Sequence, residues 1–204
     1  MVQSQLIPRG IKDEKVLEAF RRVPRHKFVL DGFSESAYQD SPLPIGEGQT
    51  ISQPYMVALM TELAKVKPGD KVLEIGTGSL YQAAILAYMG ARVYSVERKK
   101  DIAQRAAGLL KKIKINDIRI KVDDGSRGWP ENAPYDSIIV TAAAPQPPAP
   151  LIEQMAPEGR LVIPVGGRYL QDLKVYEKNE ESLKSFSAGG CRFVPLIGEY
   201  GWER

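Results

Sequence analysis

The chain has 204 residues, enough for one α/β domain with a buried core. Its 43% hydrophobic and 26% charged content is ordinary for a globular protein, and a net charge of +3 is weaker than the basic stripe of a nucleic-acid binder. One histidine and one cysteine exclude zinc sites built from His and Cys and any intrachain disulfide.

The first twenty residues are too charged for a secretory signal, and no apolar run is long enough to span a membrane. A cytoplasmic protein is therefore expected. Residues 11–23 carry Val16, Leu17, Phe20 and Val23 at helical spacing and read as a short amphipathic helix. Arg21, Arg22, Arg25 and Lys27, like Lys111, Lys112 and Lys114 further on, read as solvated helix faces. Residues 24–53 read as a long loop, the kind of connection that often carries function. Pro54 opens a helix over residues 55–66, which a turn at Lys67-Pro-Gly-Asp70 closes.

From residue 71 the pattern alternates. Strands at residues 71–75, 92–97, 118–122, 136–141 and 160–165 are interleaved with helices near 81–89, 101–114 and 151–155. On the helix near 101–114, Ile102, Ala106, Leu109, Leu110 and Ile113 form an apolar stripe. Alternation of this kind predicts an α/β fold with a doubly wound, mostly parallel sheet. Pro145-Gln-Pro-Pro-Ala-Pro150 reads as a stiff loop. Beyond Gly167, extended runs at 172–178, 182–188 and 192–197, the first two joined by a polar turn at Asn179-Glu-Glu181, predict antiparallel strands at one end of the sheet. The reading is a single domain over residues 1–204. It has a helical and loop segment (1–66), a cofactor-binding core (67–167) and C-terminal strands (168–204).

Chemistry concentrates in Val72-Leu-Glu-Ile-Gly-Thr-Gly-Ser-Leu-Tyr-Gln82: a buried strand, a glycine-rich turn and a helix start. Glu97 ends the next strand. Glycines let the backbone approach a ligand, the helix start offers free N–H groups, and an acid at that point can hold ribose hydroxyls. Ligands of an open parallel sheet sit beyond the carboxyl ends of its strands. Four candidates converge there: residues 76–80, Glu97, Asp123-Asp124 and Thr141-Ala-Ala143. Other readings of the same residues stay open: a ligand-free tight turn at Gly76 and Gly78, a surface ion pair of Glu97 with Arg98 or Lys99, and a cap or turn role for Asp124. His26 lies between Arg25 and Lys27, and no Gly-x-Ser-x-Gly elbow is present, so the chemistry is expected to need no histidine. Cys191 reads as a small buried side chain.

An acid, Glu74, just ahead of the glycines differs from the NAD fingerprint, and here the sequence resembles the class I S-adenosylmethionine-dependent methyltransferases. Gly48-Gln-Thr-Ile-Ser52 precedes that core. Arg22-Val-Pro-Arg-His-Lys-Phe28, Ser41-Pro-Leu-Pro-Ile-Gly46, Tyr135-Asp-Ser-Ile-Ile-Val-Thr-Ala-Ala143 and Arg192-Phe-Val-Pro-Leu196 flank it. Together these are similar to the protein-L-isoaspartate O-methyltransferase family, from about Arg9 to Leu196. The resemblance implies a Rossmann-like methyltransferase fold, S-adenosylmethionine as cofactor with S-adenosylhomocysteine as product, and no metal. It implies isoaspartyl-containing peptides and proteins as partners, with a monomer expected and neither nucleic acid nor membrane. Ser52 falls at the active site. Cofactor contacts fall on Glu74, Gly76, Thr77, Gly78, Ser79, Glu97, Arg98, Asp124, Gly125 and Thr141. Acceptor contacts fall on Pro44, Ile45, Gln49, Thr50, Ile51, Ala142, Ala143, Arg192, Phe193, Val194 and Pro195. Read by itself, Ser52 also suits an N-cap for the helix opening at Pro54.

Leu80 stands where the family has glycine. Three readings follow: ordinary helical backbone with Leu80 turned into the core, a narrowed pocket, or a blocked one. The last would leave a module that grips damaged peptides without catalysis. A methyltransferase with another acceptor, RNA or a small molecule, is a further alternative.

Overall fold

A seven-stranded sheet forms the centre of the molecule, in the order β5-β4-β3-β6-β7-β8-β9. Its strands are β3 (Lys71–Ile75), β4 (Arg92–Glu97), β5 (Ile118–Val122), β6 (Tyr135–Val140), β7 (Met155–Gly166), β8 (Gln171–Lys178) and β9 (Leu183–Cys191). The computed structural model describes residues 1–113, 115–179 and 182–203. Lys114, and Glu180 and Glu181 of the expected polar turn, lie outside the described residues. Strands β5, β4, β3, β6 and β7 run parallel, and β8 and β9 add antiparallel at one edge. This is the expected doubly wound methyltransferase architecture. The chain winds outward from β3 to β4 and β5, then returns to place β6 against the other side of β3. The carboxyl ends of β3 and β6 therefore border a topological switch point.

The inner strands are almost wholly apolar because both faces are covered. In β3 every residue from Val72 to Ile75 is buried. One core layer joins Val72, Val93 and Val162 to the helices α1 (Glu14–Arg22), α2 (Pro54–Ala64) and α3 (Tyr81–Tyr88). The other joins Leu73, Val96, Ile138 and Leu161 to Leu151 of α5 (Ala149–Glu153). Between β4 and β5 runs α4 (Lys100–Ile113).

Several sequence expectations shift. Helix α1 begins at Glu14 rather than residue 11, because Asp13 caps it, accepting from the Lys15 and Val16 N–H groups. Residues 24–53 are more ordered than a loop. They hold a 3-10 turn (Arg25–Phe28) and a hairpin of β1 (Leu43–Gly46) and β2 (Gln49–Ile51). Short strands interrupted by Pro44 and Gly46 give no readable alternation. Residues 192–197 form no strand; isolated bridges join Ala143 to Pro195 and Ile197 to Trp202. Arg21 and Arg22 do pair with Glu14 and Glu18 on an exposed helix face. Arg25 does not belong to that face: it is fully buried.

Candidate functional site

A cleft of about 320 Å³ opens at the switch point, within the size range of small-ligand sites. One wall is the turn after β3. Gly76 has φ 96°, and a Cβ there would come within 2.4 Å of Thr141 Oγ1. Only glycine fits, because the Thr141 hydroxyl crosses at that point to reach the carbonyls of Ile75 and Gly76 at 3.0 and 2.8 Å. This latches the carboxyl ends of β3 and β6 together.

Glu97 ends β4 at the same level and is buried rather than paired on the surface. Its carboxylate accepts the Gly78 N–H at 3.0 Å and the Lys99 N–H at 2.9 Å. Each oxygen thus takes one backbone donor and keeps further lone-pair capacity for a ligand hydroxyl. Lys99 reaches across the cleft mouth to Glu47 at 3.5 Å.

Glu74 is fully buried in the cleft floor. Ser95 donates to its Oε2, and the Ser95 and Thr77 hydroxyls are 2.6 Å apart. Its Oε1 has no partner among the described residues. Burial pushes the carboxyl up to about 8, the Ser95 hydrogen bond opposes this, the Glu97 charge adds to it, and the nearby Ala83 backbone N–H, short of good hydrogen-bond geometry, also opposes it. Gln82 presents a second buried acceptor, Oε1, without a partner; its Nε2 donates to Thr61 Oγ1 at 2.8 Å. The Gln82 oxygen is an acceptor at any pH, and a bound ammonium group beside Glu74 would favour its ionised, accepting form, so the pair suits a ligand that donates. With Glu97 placed for a diol, the wall fits the amino-acid and ribose parts of S-adenosylmethionine.

Leu80 sits at φ 74°, ψ 0°, a left-handed conformation, so the helical-backbone half of the first reading is overturned while its core-facing half holds. That position is the N-cap of α3, where the Leu80 N–H closes a turn onto the Thr77 carbonyl at 2.8 Å. The side chain is fully buried in the apolar core and does not line the cleft. The backbone strain, about 1–2 kcal/mol, is offset by burial of a leucine, about 1.5–3 kcal/mol. The narrowed and blocked readings therefore fail: the side chain points away from the ligand space.

The facing wall combines Gln49, Thr50, Ile51 and Ser52 with Ala142, Val194 and Pro195. Glu74, Gly76, Thr77, Gly78, Ser79, Glu97, Arg98, Gly125 and Thr141 also line the cleft. Several expected residues do not. Asp124 does not line the cleft; its carboxylate is turned to the C-terminal segment. Oδ1 accepts from the Ser126 N–H and hydroxyl, and Oδ2 accepts the Glu199 N–H at 2.8 Å. Asp124 thus fastens the C-terminal turn, in keeping with its cap reading. Pro44 is exposed on β1, and Ile45 is buried, its Cδ1 lying 3.6 Å from where a Cβ on Gly78 would stand. Ala143 is buried in backbone pairing with Val194 and Leu196. Arg192 is exposed, and the Phe193 N–H is fixed by Gln171 at 2.8 Å. Ser52 is no cap either: Gln53 holds the N-cap position of α2, and Asp40 accepts the Tyr55 N–H instead.

The candidate residues leave out Glu47, Gly48, Val57, Met60, Ile75, Tyr81, Gln82, Val96, Lys99, Leu196 and Ile197 of the lining. For Gln82 a signal existed, a polar residue opening the apolar run Ala83-Ala-Ile-Leu86. Most of the others carried none, because a residue's distance from a cleft is not a local property.

Comparison with known proteins agrees with this geometry. The family profile described as protein-L-isoaspartate(D-aspartate) O-methyltransferase matches residues 1–201. A protein-L-isoaspartate O-methyltransferase of Geobacter metallireducens is 55% identical over 203 residues, covering 99% of this chain and 94% of its own. Protein-L-isoaspartate O-methyltransferase 1 of Syntrophobacter fumaroxidans is 52% identical, covering 100% of this chain and 95% of its own. Among solved structures, a protein-L-isoaspartate O-methyltransferase superposes with TM-score 0.88 at 29% identity, over 98% of this chain and 67% of its own. A Plasmodium falciparum structure described as a putative member, in complex with S-adenosyl-L-homocysteine, gives 0.83 at 27% identity, over 96% of both chains.

Proposed function

The chain belongs to the protein-L-isoaspartate(D-aspartate) O-methyltransferase family, and from that premise we propose how its cleft divides the work. The enzyme transfers a methyl group from S-adenosylmethionine to the free carboxylate of L-isoaspartyl residues in damaged peptides and proteins. A backbone amide nitrogen of the peptide then attacks the ester carbonyl and expels methanol to close a succinimide, whose hydrolysis returns part of the population to normal aspartate. The observation that carries the division is the meeting of the Gly76–Gly78 turn with the Gln49–Ser52 segment and Val194–Pro195 across one cleft.

When bound, S-adenosylmethionine supplies a methyl carbon already activated by its sulfonium. Glu97 receives the ribose hydroxyls, and Glu74 with Gln82 receives the ammonium group. Gly76, Thr77, Gly78 and Ser79 offer a close backbone surface, and Arg98, Gly125 and Thr141 complete that side. On the other side Ser52 donates a hydroxyl to the acceptor carboxylate. Gln49, Thr50, Ile51, Ala142, Val194 and Pro195 form the walls around it. The carboxylate is ionised at neutral pH and is itself the nucleophile, so no general base is required. The protein's contribution is alignment of oxygen with methyl and exclusion of water. No metal is needed for these steps.

The same reading takes the enzyme as a cytoplasmic monomer that acts on peptides rather than on nucleic acid or membranes. Among the described residues no helix is long and apolar enough to cross a membrane. The test is methyl transfer from labelled S-adenosylmethionine to paired isoaspartyl and aspartyl peptides, with an RNA sample alongside. Base-labile label on the isoaspartyl peptide alone is expected. Equal labelling of both peptides, or labelling of the RNA, overturns the acceptor assignment.

A further inference from the structure

Arg25 is the largest fully buried side chain in the protein, and nothing in the reaction described above uses it. Its Nε donates to the Ala37 carbonyl at 2.8 Å and its Nη2 to the Ser52 carbonyl at 2.7 Å. Its Nη1 is buried without a hydrogen-bond partner among the described residues. Among the described residues no carboxylate makes an ion pair with it, though the Asp40 charge favours its charged form. The nearby Asp40 instead pairs with Arg9 and accepts from Gln53 and the Tyr55 N–H. The guanidinium lies 4.9 Å from the centre of the Tyr81 ring, which Phe20 and Phe28 support at 5.8 and 5.3 Å. Tyr81 in turn lines the cleft, and its own hydroxyl is buried without a hydrogen-bond partner among the described residues.

A buried, unpaired cation is expensive to keep, so its position calls for a reason. Desolvation lowers its pKa to about 10, which leaves it charged at neutral pH. The cation stands directly behind Ser52, whose hydroxyl makes no hydrogen bond among the described residues and whose residue lines the cleft. Asp40 grips the same turn one to three residues further on.

We propose that Arg25 is a positioning residue for the acceptor: it fixes the Ser52 backbone, and so the aim of the Ser52 hydroxyl, and its charge, only partly offset by Asp40, favours an anion at that end of the cleft. The acceptor carboxylate is that anion. This rests on the methyl-transfer reading above.

The test compares the parent with R25M and R25K for S-adenosylhomocysteine affinity by calorimetry, thermal stability, and kcat and KM on an isoaspartyl peptide. R25M removes charge and both backbone hydrogen bonds. Hydrogen bonds from charged groups correspond to about 10- to 100-fold in a rate or binding constant. R25M is expected to lose about 100-fold in kcat/KM while its S-adenosylhomocysteine affinity stays within about threefold of the parent. R25K keeps the charge but not the two-pronged grip, so it should return KM towards the parent and leave kcat low. Parallel loss of S-adenosylhomocysteine affinity and kcat/KM in R25M, or a folded R25M within threefold of the parent, overturns the proposal. If R25M does not fold, R25K decides: reduced kcat at unchanged S-adenosylhomocysteine affinity supports it, and parent-like kcat overturns it. A parent that binds S-adenosylhomocysteine but leaves the isoaspartyl peptide unmethylated removes the acceptor reading itself, and the proposal with it.

Discussion

The glycine-loop wall of the cleft and the wall facing it are built differently. The first is backbone from neighbouring strands, stitched by Thr141 across Ile75 and Gly76 and by Glu97 onto Gly78. The second is assembled from distant parts of the chain. Residues 49–52 meet 194–197, with Arg25 and Asp40 holding the turn from behind. The first wall is rigid because parallel strands fix its parts. The second depends on packing between the N-terminal segment and the sheet, so its precision can be altered from a distance.

That contrast can be tested from the largest expected effect down. Gly76→Ala puts a Cβ onto the Thr141 hydroxyl at a φ of 96°, with strain and overpacking together of about 2–6 kcal/mol. Calorimetry should show S-adenosylhomocysteine binding lost or reduced at least about tenfold. Affinity within threefold of the parent would break the reading of that wall as fixed backbone.

Leu80 lies at the end of the same turn yet serves the core. Leu80→Ala should cost about 2–5 kcal/mol in urea unfolding. Leu80→Gly should cost about 1 kcal/mol less than the alanine variant, since glycine relieves the left-handed strain. S-adenosylhomocysteine affinity should stay within about threefold in both. The reverse stability order, or a large affinity gain in the glycine variant, would show that Leu80 acts on the ligand space.

Glu97→Gln removes a carboxylate held by two N–H groups. About 1.5–3 kcal/mol of S-adenosylhomocysteine affinity should go with it, some 10- to 100-fold by calorimetry. A change below twofold removes Glu97 from the ribose site.

Glu74 gives a pH signature. Its folded-state pKa is raised to about 8 from an ordinary 4.5, so the folded protein holds the proton more tightly than the unfolded chain. Its stabilisation is complete below about pH 4.5 and is lost as pH rises through about 8. Between those limits the parent's Tm should fall more steeply than that of Glu74→Gln, and parallel curves would refute the burial argument. The smallest effect is expected at the cleft mouth. Lys99→Ala breaks a half-exposed pair with Glu47, worth below about 1 kcal/mol and screened by salt.

How much of this was legible beforehand follows the same division. The alternation of strands and helices, the glycine turn, Glu74 and Glu97 were readable because each depends on a few neighbouring residues. The β1–β2 hairpin was not: its strands are short and carry Pro44 and Gly46. Asp124 follows β5 as its position in the chain predicts, but its carboxylate turns to the Glu199 N–H, a partner far along the chain. Arg25, grouped by sequence with the solvated Arg21 and Arg22, is buried because a 3-10 turn begins at that residue and rotates it off the helix face.

By itself, then, the sequence determined the fold class, the register of the ligand-facing turn and the chemical character of that wall, all consequences of local periodicity and of residues with few conformational options. Tertiary structure alone decided which way Leu80 points, what surrounds Arg25, and which residues of the two chain ends meet Ser52. Those outcomes depend on competition among distant groups for burial and for hydrogen-bond partners, which adjacent residues do not encode.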